Sequence, residues 1–467
     1  MSEQLTMRRE LSKGGCKYVC LLLVLFLLCS LYLTYLSEKR ASDNTNKISY
    51  NVLNYPLKDT LKKVNKLPKK SKIQREKNST SGQFGHGSKP AVVLQIDKRI
   101  LFMIEEIEKR DLTPKGPIIT TGVGNYTCTK RNGKKNNVED ILCMPPPKFL
   151  PEFKNPCWVD KKDMFQCLPY FQIIGMDKCG STDLFDKIAQ HPHVLKNSGV
   201  LHKETMWWSW KRYGHFLLAP AKIENFTRYL KYFSGAAEKI KSKPRTGLIT
   251  GDGTPMDMWD MSGWVSIPQN TGKKEPTFIT PHLIKHLNPN VKLIIILRNP
   301  VDRLYSDYFF LKIGKLTPQA FHDHVIRSLK ILYACTRQKS LRTCLYSRET
   351  HLKSRARLHL GFYSIFVQDW LKVFNRNQLL ILRTEDYSKE PKRTIQNVFS
   401  FLKLQNLSEK GLATITSGKR KYVTAAKKNA GKMLNETRVI LERLYKPYKL
   451  KLAEILNDKS FSWNTNS

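Results

Sequence analysis

The sequence predicts an α/β domain with a central parallel sheet and a P-loop-like phosphate loop, preceded by a single transmembrane helix. A short apolar run from Tyr170 to Gly175 leads through a glycine loop into a segment with helical spacing. A second run, from Val291 to Leu297, has the continuous hydrophobicity of a strand buried on both faces. The 19 residues from Tyr18 to Leu36 carry no charge. As a helix they are long enough to cross a hydrocarbon layer of roughly 30 Å.

Composition excludes a disordered polymer and indicates an anionic partner. Of 467 residues, 41% are hydrophobic, which is enough for a sizeable core. The formal net charge is +41, of which residues 1–17 hold +2, residues 37–115 hold +9 and residues 116–467 hold +30. Because a small soluble domain usually carries a net charge of only about 2–8, we expect residues 116–467 to meet a polyanion. Nucleic acid is the first candidate, and topology argues against it.

The chain is predicted to divide into a cytoplasmic tail (1–17), a transmembrane signal-anchor (18–36), a basic lumenal stem (37–115) and a lumenal domain (116–467). A cleavable signal peptide is the alternative for 18–36, but the run exceeds the usual apolar core of about 7–15 residues and lacks a small-residue cleavage site. Residues 100–110 of the stem could form a short helix. The glycosylation sequons all follow the span, as expected for a lumenal segment: Asn78, Asn125, Asn225, Asn406 and Asn435.

Seven cysteines follow the span and predict disulfides in an oxidising lumen. Cys335 and Cys344 flank a short basic loop and are the predicted local pair. The odd number leaves at least one cysteine free or paired with another chain. Three pairings are open for a further four: Cys128, Cys143, Cys157 and Cys167.

The loop after the first strand has a phosphate-binding pattern that is not a Walker loop. Gly175 and Gly180 have G-x4-G spacing, but Ser181 follows where a nucleotide triphosphatase has lysine. The lysine lies inside the loop instead, as Lys178, where we expect it beside a transferred group. Backbone N–H groups and the helix start favour an anion, with Ser181 or Thr182 capping the helix. Taken alone, the pattern is also typical of a charged turn.

The second strand supplies further predicted phosphate ligands. Arg298 ends the strand and offers a bidentate fork, whereas Ser306 offers a neutral donor. Ser306 lies eight residues on, about two helical turns. Both side chains face one phosphate only if the turn at Pro300 folds back.

Together these two elements resemble the 5′-phosphosulfate and 3′-phosphate segments of the Golgi carbohydrate sulfotransferases. The similarity runs in order over residues 147–463 and includes the segments KCGSTDLFDKI, LRNPVDRLYSDYFF and LLILRTEDY. It implies a P-loop-like sulfotransferase domain that uses 3′-phosphoadenosine 5′-phosphosulfate (PAPS) and needs no metal. It also implies a single-pass type II protein of the Golgi membrane with a lumenal catalytic domain.

The resemblance further implies transfer of sulfate to a hydroxyl of a sulfated glycosaminoglycan, in particular the 6-hydroxyl of N-acetylgalactosamine 4-sulfate in chondroitin or dermatan sulfate. Two alternatives stay open: a heparan or other glycan O-sulfotransferase, and a catalytically inactive glycosaminoglycan-binding relative. Heparan-type relatives carry a lysine just before a Thr-Pro pair, and here that position is Gly253, which favours the chondroitin branch. Nucleic acid is not an expected partner.

Donor roles follow residue by residue from the resemblance. Lys178 stabilises the leaving oxygen, and Asp177, where the family often has proline, places a negative charge nearby. A basic loop near the C-terminus falls where relatives cover the 3′-phosphate, although a solvated loop is the alternative. The implied donor ligands are Lys178, Cys179, Gly180, Ser181, Thr182, Arg298, Ser306, Lys419, Arg420 and Lys421.

Acceptor roles centre on a Lys-Glu segment. Glu204 is the implied general base, with His202 as an alternative base and a surface ion pair as the alternative reading. Lys203 either orients Glu204 or binds an acceptor sulfate. A wall that stacks on sugar and binds sulfate is predicted from the following residues, for each of which an aromatic core is the alternative: Trp207, Trp208, Trp210, Lys211 and Arg212.

Overall fold

The computed structural model describes residues 96–111, 126, 128, 137–216, 219–312, 314–418 and 430–463. The chain divides into two units, and every described residue belongs to the second, Ala91–Ser467. The predicted tail and span and most of the predicted stem lie outside the described residues. Within the described part, no helix is long and apolar enough to cross a membrane.

The strands of the described residues are Cys157–Val159 (β1), Phe165–Cys167 (β2), Phe171–Gly175 (β3), Val194–Leu195 (β4), His215–Phe216 (β5), Ala219–Pro220 (β6), Ile249–Asp252 (β7), Lys292–Leu297 (β8) and Leu379–Arg383 (β9). A parallel five-stranded sheet forms the centre, in the order β4-β7-β3-β8-β9. Two small antiparallel pairs, β1 with β2 and β5 with β6, lie outside it.

Helices connect the parallel strands, as the chain must cross back before each new one. In the described ranges they are Lys98–Lys109 (α1), Ser181–Ile188 (α2), Phe226–Lys231 (α3), Ser234–Lys241 (α4), Thr280–Leu287 (α5), Pro300–Leu311 (α6), Pro318–Thr336 (α7), Leu341–Leu345 (α8), Arg348–Lys353 (α9), Tyr363–Leu371 (α10), Thr384–Lys389 (α11), Pro391–Phe401 (α12), Glu409–Thr416 (α13) and Asn435–Leu456 (α14).

The two strands expected from sequence form the middle of the sheet, which confirms the predicted α/β class. All five residues of β3 are buried, and so are five of the six residues of β8. Their register pairs Gly175 with Ile296. A Cβ atom at Gly175 would lie 2.9 Å from the carbonyl oxygen of Ile296, so only glycine permits this approach. The carboxyl ends of β3 and β8 therefore open at one edge of the sheet.

The compact unit begins before residue 116, where the lumenal domain was expected to start. Helix α1 includes most of the short helix expected in the stem, and Ile100, Ile104 and Ile107 are buried in the main core. Its Phe102 ring meets Tyr333 of α7 edge to face, with centroids 6.4 Å apart. Residues 98–109 therefore belong to the folded domain.

The structure confirms the Cys335–Cys344 disulfide. For the other four predicted cysteines it selects one pairing, Cys128–Cys143 and Cys157–Cys167. The last bridge closes the β1–β2 hairpin. The seventh cysteine is the buried thiol Cys179, which explains the odd number.

Candidate active site

The loop between β3 and α2 is the first element of the site. It contains two residues in the left-handed region, Lys178 (φ 68°) and Gly180 (φ 99°). Gly180 is the N-cap of α2, and as glycine it has no side chain to cap the first helical N–H groups. The prediction that Ser181 or Thr182 caps the helix is therefore wrong. An uncapped helix start directs its backbone N–H groups and positive dipole end at whatever anion lies beyond it.

Side chains that directly follow two other strands, β8 and β9, fix the backbone of this loop. The Thr384 hydroxyl donates a 2.6 Å hydrogen bond to the carbonyl oxygen of Cys179. Arg298 donates from Nη1 to the carbonyl oxygen of Lys178 at 3.5 Å. Burial raises the pKa of the Cys179 thiol to about 12. Because the thiol stays protonated and buried, Cys179 can serve an anion only through its backbone.

Helix α11 forms hydrogen bonds to the starts of both α2 and α6. Its Tyr387 hydroxyl donates to the Asp183 carboxylate in α2 at 2.6 Å. Its Glu385 carboxylate accepts a 2.9 Å hydrogen bond from the backbone N–H of Asn299, which caps α6. One short helix thus holds the starts of α2 and α6 in a fixed relation.

The Lys178 ammonium lies against α6. Its Nζ is 3.6 Å from the ring centroid of Phe310, a cation–π contact, and that ring is 55% exposed. Burial lowers the pKa of Lys178. Ser306 lies one turn before Phe310, on the same face of α6, and is buried. The structure thus places Lys178 beside Arg298 and against the face of α6 that carries Ser306.

A buried charge network lies behind the loop. Arg357 pairs with Asp177 at 2.9 Å and donates from Nε to Asp307 at 2.8 Å. Asp307 also lies 3.5 Å from Arg303. Burial alone would raise the pKa of Asp307, but Arg357 and Arg303 outweigh it and lower that pKa. The Arg357 guanidinium thus lies between the Asp177 and Asp307 carboxylates and offsets part of their negative charge.

Glu204 and Lys203, which the sequence predicted to serve the acceptor, form a largely buried ion pair. The Lys203 ammonium bonds the Glu204 carboxylate and donates to the Gly253 carbonyl oxygen at 2.8 Å. Burial raises the pKa of Glu204, Lys203 opposes the shift, and the Asp177 charge adds to it. Only 2% of the Lys203 side chain is exposed. Lys203 therefore orients Glu204, and its burial argues against the alternative of a sulfate ligand.

Gly253 lets the two sides of the site approach each other. A Cβ atom there would lie 2.8 Å from the Phe185 ring of α2 and 3.4 Å from Cβ of Lys203. A larger residue would push the donor helix away from the Lys203 turn. The packing around Gly253 is therefore too close for the lysine that heparan-type relatives carry at this position.

The turn that carries Glu204 is strained. Leu201 and His202 both have positive φ, 54° and 53°, and the Lys203 N–H donates to the Val200 carbonyl oxygen at 3.1 Å. Such turns normally use glycine or asparagine. His202 is exposed, whereas 13% of the Glu204 side chain is exposed. Of the two proposed bases, Glu204 alone has a charged partner that fixes its orientation.

A buried carboxylate, Asp252 at the end of β7, bonds the residue that follows Glu204. It accepts hydrogen bonds from the hydroxyls of Thr205 (2.5 Å) and Thr254 (2.7 Å). Burial raises the pKa of Asp252 to about 6, and these hydroxyls oppose the shift. Residues 204–205 are thereby tied to the carboxyl edge of the sheet.

The tryptophan segment is largely core. Arg212 is 3% exposed and lies over the Trp207 and Trp208 rings. The Lys211 ammonium contacts the Tyr232 hydroxyl at 2.6 Å. This placement favours the aromatic core and argues against a sugar-stacking wall. The exposed fractions of the three tryptophans are 1%, 2% and 6%, for Trp207, Trp208 and Trp210.

Some predicted residues cannot be placed. Lys419, Arg420 and Lys421, and the sequons at Asn78 and Asn125, lie outside the described residues. The remaining sequon asparagines are exposed. In the ranges that the structure does describe, no group of three or more His, Cys, Asp or Glu side chains is arranged to hold a metal ion.

Sequence reasoning missed several residues of the site. Arg357 and Thr384 lie far from the loop in the chain and belong to no recognisable spacing. Phe310 had a usable signal, because it lies four residues after Ser306 and therefore on the same helical face.

Comparisons with known proteins identify the family of the chain. The family described as "Sulfotransferase domain" matches residues 169–436. "Carbohydrate sulfotransferase 15" of Homo sapiens is 33% identical over 377 residues, 68% of this chain and 66% of that protein. The chain thus spans just under two thirds of the length of that curated relative.

More distant matches include a "Bifunctional heparan sulfate N-deacetylase/N-sulfotransferase 4" of Mus musculus, 24% identical over 66% of this chain and 34% of that protein. A solved sulfotransferase from Alicyclobacillus acidocaldarius aligns with a TM-score of 0.41 and 19% identity, over 62% of this chain and 96% of that one. The family match covers more than half of the 467 residues and includes the 176–180 loop, the Lys203–Glu204 pair and the start of α6. The chain therefore belongs to the sulfotransferase domain family.

Proposed function

We propose that this protein transfers sulfate from PAPS to a hydroxyl of a sulfated glycosaminoglycan, and that the acceptor is the 6-hydroxyl of N-acetylgalactosamine 4-sulfate in chondroitin or dermatan sulfate. The observation that carries the proposal is the meeting of a lysine-containing phosphate loop and a buried Lys-Glu pair at one edge of the sheet. The similarity to a carbohydrate sulfotransferase supports the glycan acceptor.

The residues present fit a phosphosulfate. The uncapped start of α2 offers backbone N–H groups, and Lys178 and Arg298 add two positive charges. Ser306 would add a hydroxyl from α6. The donor, when bound, supplies an activated sulfuryl group on a phosphate leaving group. Lys178 would hold the negative charge that develops on the leaving oxygen.

Glu204 would accept the proton of the acceptor hydroxyl. A general base works best when its pKa lies near the working pH, and burial shifts the pKa of Glu204 upward in that direction. Lys203 keeps the carboxylate oriented through its second bond to Gly253. The Arg357–Asp177 pair holds the loop behind Lys178 while the acceptor approaches.

The membrane topology and the Golgi location that we propose rest on the sequence. A type II topology in the Golgi membrane is part of the proposal and rests on the apolar run 18–36 and on the sequons after it. Protease protection of the domain in sealed microsomes, and a mass decrease after removal of N-glycans, are the expected results. A domain that is digested in intact microsomes would contradict the topology.

The product identifies the acceptor. The purified protein should transfer labelled sulfate from PAPS to chondroitin 4-sulfate, and disaccharide analysis should place the label in a 4,6-disulfated unit. Desulfated chondroitin and heparan sulfate serve as matched acceptor controls. Label in a heparan disaccharide would favour the heparan alternative, and no transfer with saturable binding of the polymer would favour an inactive relative.

A further inference from the structure

A basic cavity on another face of the domain is not used by the proposed reaction. It has a volume of about 890 Å³ and lies between the end of α1, the loop before α5 and the segment between α7 and α8. Its walls carry five cationic side chains and two carboxylates, so its net charge is +3. The cations are Lys109, Arg110, Lys274, Arg337 and Lys339.

The two carboxylates are already engaged. Glu106 pairs with Lys109 at 2.7 Å. Glu275 accepts hydrogen bonds from the hydroxyls of Ser340 (2.7 Å) and Thr343 (2.6 Å). Among the described residues, the structure shows no ion pair for the four remaining cations of the cavity. Such a cluster of cations creates a positive local potential that attracts an anion.

The walls of the cavity are rigid. Arg337 and Lys339 lie inside the loop closed by the Cys335–Cys344 disulfide, whose two cysteines are nine positions apart in the sequence. The Leu341 N–H donates to the Arg110 carbonyl oxygen at 3.1 Å, which ties this loop to α1. The backbone that carries these cations is therefore held in place, so less ordering of the loop is needed when an anion binds.

Helix α7 sets the distance of the cavity from the proposed active site. The helix begins beside α6, where the Phe321 ring packs on Tyr308 with centroids 5.1 Å apart, two residues from Phe310. It ends at Thr336, next to the cavity. Nineteen helical residues span about 28 Å. A short oligosaccharide cannot occupy both places, whereas a polymer can.

We propose that this cavity binds a sulfated segment of the glycosaminoglycan chain remote from the residue being modified. The inference rests on the proposed function for the identity of the polymer. Each sulfate group of such a segment can pair with a separate lysine or arginine side chain of the cavity. The cavity is also large enough for a few sugar units. The cavity thereby gives the protein a preference for long acceptors.

The test measures sulfate transfer to long chondroitin 4-sulfate and to its tetrasaccharide in the double variant R337Q/K339Q. This variant keeps the Cys335–Cys344 disulfide. The Michaelis constant for long chondroitin 4-sulfate should rise about tenfold, because two cation contacts are lost. The constant for the tetrasaccharide and kcat should not change. The salt dependence of polymer binding should also become less steep. K239Q/K243Q, which removes two exposed cations on and just after α4, is the matched control.

Several outcomes overturn the inference. An unchanged constant for the polymer would mean that the cations serve only the C-terminal end of α7, and an equal rise for both acceptors would place the effect in the catalytic cleft. Loss of poly-glutamate binding with normal polymer binding would indicate an acidic protein partner instead. Direct binding of fluorescent polymer separates this inference from the proposed function: binding that falls in R337Q/K339Q supports the cavity even if no sulfate transfer is found.

Discussion

The donor loop and the turn that carries Glu204 face each other, but they are held in different ways. The loop at 176–180 is fixed by side chains from distant parts of the chain, including Arg298, Arg357 and Thr384. The Glu204 turn depends on its neighbour Lys203 and on Asp252 at the end of one strand. The donor loop is therefore fixed by several distant segments, whereas the Glu204 turn is fixed by its own neighbour and by the end of a single strand.

The largest effect is expected at Glu204. Glu204→Gln removes the proposed base and keeps its size, so kcat should fall about 10³-fold. In the wild type, kcat/KM should fall as the pH drops through the pKa of Glu204, because the base must be ionised, and burial moves that limb above the range of an ordinary glutamate. Labelled sulfate transfer across a pH series measures both. Glu238→Gln on α4 is the control, and a variant at Glu204 with a tenth of normal activity would contradict the role.

The second-largest loss of activity is expected at Lys178. Lys178→Ala removes the charge that faces the leaving oxygen, so kcat should fall about 10²- to 10³-fold. Burial lowers the pKa of Lys178, so the wild type should lose activity on the alkaline side at a lower pH than an ordinary lysine would. Lys178→Arg should keep some activity and lose this alkaline limb, because a guanidinium does not titrate there. An alkaline limb that survives in Lys178→Arg would remove Lys178 from the assignment.

Lys203 tests whether the acceptor turn is a positioning device. Lys203→Met removes a buried ammonium that lowers the pKa of Glu204. The acid limb of the pH profile should therefore move to higher pH, and the plateau rate should fall about tenfold as the carboxylate loses its orientation. A purely structural role would lower the melting temperature without moving the limb, and that result would contradict the inference.

Arg357 tests the long-range support of the donor loop. Arg357→Lys keeps the charge but loses the fork that joins Asp177 to Asp307, so the Michaelis constant for PAPS should rise about fivefold. The constant for the glycan should stay constant if the effect is confined to the donor side. Equal changes in both constants would show that the two sides are not separable.

The smallest effect is expected at Phe310. Phe310→Leu removes the ring beneath the Lys178 ammonium, a contact worth about 0.5–1 kcal/mol at an exposed site. The affinity for the product nucleotide, measured by calorimetry, should change by about two- to fivefold, with kcat nearly constant. Phe310→Tyr keeps the ring and should match the wild type. A tenfold loss in Phe310→Tyr would mean that the side chain has a different role.

The sequence alone determined the local features of this protein. Strong apolar runs gave the positions of β3 and β8, since a strand buried on both faces can hardly contain anything else. The position of Lys178 inside a glycine loop indicated an anion site, and residue spacing indicated the Cys335–Cys344 pair. These features depend on neighbours in the chain, so a pattern can reveal them.

Only the tertiary structure decided which polar and aromatic residues are available. Trp207, Trp208 and Arg212 look like a binding surface in sequence, yet Tyr229 of α3 packs on both tryptophans and Arg212 lies buried against them. Arg357 carries no local signal and still joins the donor loop. Burial and long-range pairing are properties of the folded chain, because they depend on which distant segments the sheet brings together.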